Sequence, residues 1–236
     1  MQLQHILFLD IETVSITKNY SSLPQRYKPL WDRKAKFLAS EDVPVDQTFT
    51  DKAAIFAEFG KVVVIGVGFF YYNENRELSF KTKAFYNNDE KQLLSEFKSF
   101  IESRFDQNVL RLCAHNGREF DYPYLCRRML VNSISLPEIL RINDKKPWEI
   151  NHLDTLEMWK FGDKKNYTSL DLLATIFDIP TSKDDIDGSQ VGKVYYEENG
   201  LERIATYCKK DVAVLAQVFL ALTCQPKIEQ KNIQYL

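Results

Sequence analysis

The stretch HILFLDIETV, residues 5–14, sets Asp10 and Glu12 inside an otherwise apolar run. Strand side chains alternate between faces, so residues two apart point the same way and these two carboxylates stand side by side. The preceding Ile6-Leu7-Phe8-Leu9 reads as a strand segment buried on both faces, the pattern of a central strand. Two like charges at the end of such a strand repel each other and resist loss of water. Taken alone, an Asp-x-Glu pair is also the signature of solvated acids on an edge strand. The apolar run beside this one favours the buried reading, which calls for a source of positive charge.

The rest of the chain allows one substantial core. It has 236 residues, 44% of them hydrophobic and 13% aromatic, and a net charge of −2. That composition argues against disorder, and the near-neutral charge excludes a strongly basic nucleic-acid coat but not a local basic rim. The four cysteines, Cys113, Cys126, Cys208 and Cys224, have no CxxC spacing and are expected to be reduced core residues of a cytoplasmic protein. The acids at 10 and 12 interrupt the only apolar segment near the N-terminus, so no signal peptide is expected. No apolar run has the length of a membrane span.

Working outward from residues 5–10, residues 14–58 mix helical pieces with charged and turn residues, as a helical insertion would. KVVVIGVGFFYY (61–72) predicts a long strand, NENR (73–76) a hairpin turn, and ELSFKTKAFY (77–86) an antiparallel edge-type strand. Leu93, Leu94, Phe97, Phe100 and Ile101 have helical spacing behind an Asn88 or Asp89 cap. Strands are expected at 109–115 and near 149–154. A helix opens near residue 121, a short one runs into Pro180, and a last one spans 200–222. A hairpin followed by alternating helices and strands implies an α/β fold, a mixed five-stranded sheet with helices on both faces. No linker divides residues 1–236, which read as a single domain.

Two further acids matter. Asp121, in AHNGREFDYPYL (114–125), has the makings of a helix cap, with Pro123 two residues on. It also follows the C-terminal end of a strand, where ligands bind in open α/β sheets. Asp211, in TYCKKDVAVL, lies one turn after Tyr207 beside a stripe of Leu201, Ile204, Cys208, Val212, Leu215, Phe219 and Leu222. Asp in mid-helix is unfavourable, and a salt bridge to a neighbour would explain it locally. One explanation covers all four acids: they meet at one end of the sheet and bind divalent metal. Hard Mg²⁺ or Mn²⁺ ions take such oxygen ligands, and His5, His115 and His152 lack zinc-type spacing.

FLDIET, AHNGREFDYPYL and YCKKD resemble, in order, the three exonuclease motifs of the DEDD superfamily, whose fold is ribonuclease H-like. AEFGKVVVIGVG and SKDDIDGSQV are similar to the stand-alone group related to the proofreading domain of family B DNA polymerases. Members with a catalytic histidine carry it five residues before the last Asp, where this chain has Thr206. Members with tyrosine carry it four before, where Tyr207 stands, so the resemblance is to the DEDDy branch. It implies a 3′–5′ exonuclease that releases nucleoside monophosphates from single-stranded ends, DNA ahead of RNA, with two divalent cations, Mg²⁺ or Mn²⁺. Asp10, Glu12, Asp121 and Asp211 would be the metal ligands, and Tyr207 would hold the attacking water. Thr13, Asn116 and Phe120 match positions near the terminal nucleotide, although loop bonding and core packing explain them equally well. Arg118, Arg127 and Arg128 either touch phosphates or face solvent, while Asp154, Asp171, Asp185 and Asp187 are not needed for the four-carboxylate set.

The rival readings are a non-catalytic module that grips nucleic-acid ends, a proofreading subunit active only in a complex, and an endonuclease or ribonuclease H. A binding module would show the loss of a carboxylate or of the tyrosine, and Asp10, Glu12, Asp121, Asp211 and Tyr207 are all present. Only a short tail follows Asp211, so a replication or repair polymerase is expected to be a separate partner if there is one.

Overall fold

A computed structural model describes residues 2–38, 43–163, 167–181 and 185–236. Along the chain run β1 (Ile6–Ser15), α1 (Lys28–Ala35), α2 (Val45–Lys52), β2 (Gly60–Tyr72), β3 (Leu78–Tyr86), α3 (Glu90–Arg104) and β4 (Arg111–Ala114). They are followed by α4 (Asp121–Val131), β5 (Leu153–Asp154), α5 (Thr155–Lys160), α6 (Leu170–Ile176), α7 (Val191–Glu198), α8 (Leu201–Leu222) and β6 (Ile233–Tyr235). The sheet order is β5-β4-β1-β2-β3-β6, with β1, β2 and β3 antiparallel in succession and the other three pairings parallel.

The expected mixed α/β architecture is present, and β1 is central. Its odd residues Leu7, Leu9 and Ile11 pack with Leu93 and Phe97 of α3 and Leu125 and Met129 of α4. Its even residues Ile6 and Phe8 pack on the other face with Val212, Leu215 and Phe219 of α8. Phe8 meets Phe70, Phe80 and Phe219 edge-on, with ring centroids 5.3, 5.6 and 5.4 Å away, the geometry aromatic quadrupoles favour. Asp89 caps α3 through the backbone N–H groups of Lys91 and Gln92. The hairpin turn after β2 is closed by Asn73, whose side-chain oxygen accepts from the N–H of Asn75 and of Glu77.

Three expectations need correction. The sheet has a sixth strand: β6 pairs with β3 over Phe80–Thr82, so β3 is not an edge. This three-residue addition is too short to carry a hydrophobic period. β1 does not stop at Asp10 but runs on to Ser15, because β2 stays paired with it past the acids, with a register shift between Glu12 and Thr13. Helices α5 and α7, of six and eight residues, complete the C-terminal half. The first residues of the SKDDIDGSQVG loop, 182–184, lie outside the described residues.

Between β1 and β2, Trp31 of α1 is wholly buried against Phe49 and Phe59. The segment after α2 is tied to the sheet by the Ala54 carbonyl, which accepts from the Thr13 hydroxyl at 2.9 Å and the Tyr124 hydroxyl at 2.8 Å. All four cysteines are free, but only Cys113 and Cys208 are buried; Cys224 is exposed beyond the end of α8. Among the described residues no helix is long and apolar enough to cross a membrane.

Candidate active site

The even face of β1 carries the first two acids toward α8. Asp10 lies opposite Gly66 of β2 and Glu12 opposite Val64. Gly66 is what lets α8 lie close: a Cβ there would sit 2.7 Å from Cys208 Sγ and 2.9 Å from Val212 Cγ2. With the helix that near, the Cys208 thiol donates to Asp10 Oδ2 at 3.3 Å. Tyr207 and Asp211, one turn apart, take their places beside it. Overpacking of this kind destabilises by about 1–3 kcal/mol. Gly66→Ala is therefore expected to lower the urea midpoint and, by lifting α8, to cut any hydrolytic rate in the same variant.

Asp121 arrives from the other flank. β4 pairs with β1 only over Ile6–Phe8, so the N–H groups of β1 beyond Phe8 are open on that side. The Asp121 carboxylate takes up one of them, accepting from Ile11 N at 3.2 Å. The fourth acid is thus delivered where the parallel partner strand ends, as expected for open α/β sheets.

Asp10, Glu12, Asp121, Tyr207 and Asp211 line one cleft of about 360 Å³ together with Asn116 and Phe120. Burial raises the Asp10 carboxyl well above its usual range, and the charges of Asp211 and Asp121 raise it further, against the Cys208 hydrogen bond. Burial, then Asp10, Asp211 and Asp121, do the same to Glu12. Asp121 is pushed up to about 7, chiefly by burial. Burial and the neighbouring Asp211 and Glu12 charges hold the Tyr207 phenol far above its ordinary value, with a hydrogen bond to Asp211 adding to this. Thr206 is exposed.

Five of the described residues lining the cleft are acids, and none is Lys or Arg. Asp10, Glu12 and Cys208 each bring a ligand atom within 4.8 Å of one another. Burial also raises the Cys208 thiol well above its usual value, so it serves as a hydrogen-bond donor beneath Asp10. A set of carboxylate oxygens under mutual repulsion fits hard divalent cations such as Mg²⁺ or Mn²⁺.

The remaining candidates separate. Thr13 spends its hydroxyl on Ala54 O and does not line the cleft. Phe120 lines it with one face while packing against Tyr124. Asn116 adopts a left-handed conformation, φ 62°. Arg128 neither faces solvent nor reaches the cleft, being buried in an ion pair with Glu90. Arg118 donates to the His152 carbonyl at 2.9 Å, and Arg127 is exposed. Asp154 is buried and structural: its carboxylate accepts from the N–H groups of Asn116, Arg118, Leu156 and Glu157 at 2.9–3.3 Å. It therefore both caps α5 and holds the loop that leads to Asp121. Asp185 pairs with Arg203, and Asp187 accepts from Ser189 N. Asp171, in the first turn of α6, does line the cleft, as do His115 and Tyr167, none of which the sequence marked as site residues.

A family model described as a predicted 3′-5′ exonuclease related to the exonuclease domain of PolB matches residues 56–234. That stretch contains Asp121, Tyr207 and Asp211 and begins after Asp10 and Glu12. Among solved structures, the family B DNA polymerase from the hyperthermophilic archaeon Pyrobaculum calidifontis is similar in fold, with a TM-score of 0.53 at 13% sequence identity. The match covers 92% of this chain and 24% of that polymerase.

Proposed function

The chain belongs to the family of predicted 3′-5′ exonucleases related to the exonuclease domain of PolB, and on that premise we propose that it is a DEDDy-type exonuclease. It removes nucleoside monophosphates one at a time from the 3′ end of single-stranded DNA. The observation that carries this reading is the convergence of Asp10, Glu12, Asp121 and Asp211 with Tyr207 in a single cleft. Residues 1–236 are read as one exonuclease domain, with 14–58 as a helical insertion.

Asp10, Glu12, Asp121 and Asp211 would hold two divalent cations, which when bound would supply an activated water, charge neutralisation at phosphorus and stabilisation of the departing 3′ oxygen. The chain's own residues do the positioning. Cys208 fixes one oxygen of Asp10 from below, leaving the other for the cleft. Ile11 N holds Asp121 in place. Tyr207 keeps its proton, because burial and the surrounding acids disfavour the phenolate, so it orients water through its hydroxyl rather than deprotonating it. Asn116 and Phe120 bound the place of the terminal nucleotide. Thr13 can contribute only backbone there, since its hydroxyl is engaged.

Tyr207→Phe removes the orienting hydroxyl and leaves the ring, so the rate is expected to fall on the order of 10²-fold with little change in stability. The reading itself is tested with 5′-labelled single strands in Mg²⁺ or Mn²⁺. A ladder of single-nucleotide losses from the 3′ end is expected. Cutting of a circular strand would make the protein an endonuclease, and retention of intact ends on the protein would make it a binding module. Matched DNA and RNA oligonucleotides in the same assay report the sugar preference, which rests on contacts to the 2′ hydroxyl.

A further inference from the structure

Tyr167 belongs to none of the three motifs. It is 65% exposed, yet it lines the same cleft as the four carboxylates. Its segment is fastened to the loop after β4: His115 Nε2 lies 2.8 Å from the Thr168 carbonyl, and His115 Nδ1 lies 2.9 Å from Thr155 Oγ1. The carbonyl can only accept, so Nε2 carries the proton and Nδ1 accepts from the threonine hydroxyl. The imidazole braced in this way meets the Tyr167 ring edge-on, with centroids 6.0 Å apart and an interplanar angle of 72°.

This places Tyr167 on the Asp121 flank of the cleft. Tyr207 stands on the opposite flank, packed with Val63 and Val64 of β2 and Ile204 of α8. The electrostatics agree. Loss of water around the hydroxyl raises both phenols, even though most of the Tyr167 side chain is exposed, and the next contributions come from Asp121 and Asp10 for Tyr167 but from Asp211 and Glu12 for Tyr207. Exonucleolytic cleavage has a direction across such a site. Water attacks from the Tyr207 side, and the bond that breaks joins phosphorus to the 3′ oxygen of the penultimate nucleotide, which leaves on the Asp121 side. That nucleotide stays with the strand and passes Tyr167 on its way out.

We propose that Tyr167 is a substrate-contacting residue whose ring, braced by His115, stacks the base of the penultimate nucleotide. The inference rests on the exonuclease reading. Every base presents a π-face, so a solvent-exposed phenol ring grips a single strand without regard to sequence. That suits an enzyme that must accept each nucleotide in turn. Stacking here also holds the remaining strand while the terminal nucleotide departs.

The test uses Tyr167→Ala and Tyr167→Phe with single strands that are intact, abasic at the terminal position or abasic at the penultimate one. On the intact strand Tyr167→Ala is expected to raise KM roughly ten- to hundredfold, the loss of one stacked base. The loss falls on KM rather than kcat, because stacking binds ground and transition states alike. Tyr167→Phe, which keeps the ring, recovers the low KM. With the penultimate base missing, the wild type itself shows the high KM and the alanine variant adds nothing. With the terminal base missing, the alanine variant keeps its full deficit. Equal KM for wild type and Tyr167→Ala, a deficit that survives removal of the penultimate base, or a phenylalanine variant as poor as alanine would each overturn the proposal. Failure of the wild type to degrade any strand overturns the exonuclease reading and this inference with it, whereas degradation without these effects overturns the inference alone.

Discussion

Replacing Asp10 with Asn is expected to lower Mg²⁺-dependent hydrolysis on the order of 10³-fold or more, and at the same time to raise the melting temperature of the metal-free protein by several degrees. Both effects follow from the same electrostatics. Asp10 lies amid Glu12, Asp121, Asp211 and a buried thiol, and its carboxyl is raised well above the usual range by burial and by Asp211 and Asp121. A carboxyl whose folded-state pKa exceeds its unfolded value binds protons more tightly in the folded chain. Between the two values the native state holds more protons than the unfolded state, so stability falls as pH rises through that window. For Asp121 the window runs from about 4 in the unfolded chain to about 7. Asp10 and Glu12 are shifted in the same direction. The metal-free wild type should therefore lose stability from pH 4 upward to neutrality, while Asp10→Asn should show a shallower slope. On the proposed function, millimolar Mg²⁺ would bind the charged native site and not the unfolded chain, so it should restore the wild type by mass action and act weakly on the variant. Thermal melts across pH, with and without Mg²⁺, read all of this beside the strand-degradation assay. Undiminished cleavage by Asp10→Asn, or a metal-free variant less stable than the wild type at neutral pH, would remove Asp10 from the centre of the site.

What made these acids legible in the sequence was conflict: a carboxylate pair in a buried strand and an Asp in mid-helix each break a local rule, and such violations concentrate at functional sites. Residues that break no rule stayed hidden. Asp154 looks like any helix cap because it is one, and nothing local says that its second oxygen also holds Arg118 N, 36 residues away in sequence. Tyr167 sits in an irregular stretch, where no period marks which residues face a cleft. Cys208 was readable as core but not as a donor to Asp10, since that contact joins residues 198 apart. β6 is short and pairs with a strand far earlier in the chain, so neither length nor alternation announced it. Arg128 was ambiguous for a related reason: charge on a helix reads as surface until its partner, 38 residues earlier, is known.

That partner supplies the largest stability effect expected in the molecule. Arg128 and Glu90 are each 7% exposed and form a fork, with Nε to Oε1 at 2.9 Å and Nη2 to Oε2 at 2.6 Å. Glu90 also accepts from Val62 N at 2.8 Å and from Asn132 Nδ2 at 2.8 Å, while Arg128 donates to the Ala57 carbonyl at 2.8 Å. One carboxylate thus joins the start of α3, the start of β2 and the end of α4. Glu90→Ala leaves a guanidinium buried without its counter-charge and strips Val62 N of its acceptor. Breaking a buried pair from one side typically destabilises by about 3–5 kcal/mol, a large share of the roughly 5–15 kcal/mol that holds a domain together. Arg128→Ala should do similar harm by stranding the carboxylate. The double variant removes both charges together, so it should be far less destabilised than the two single losses combined. Urea melts with an unchanged slope and a lowered midpoint would report this directly. Neither residue lines the cleft, so cleavage per folded molecule, measured well below the transition, should survive in all three variants. Additive losses, or singles that cost less than about 1 kcal/mol, the value of an exposed pair, would mean that the fork lies in water rather than at the junction of three elements.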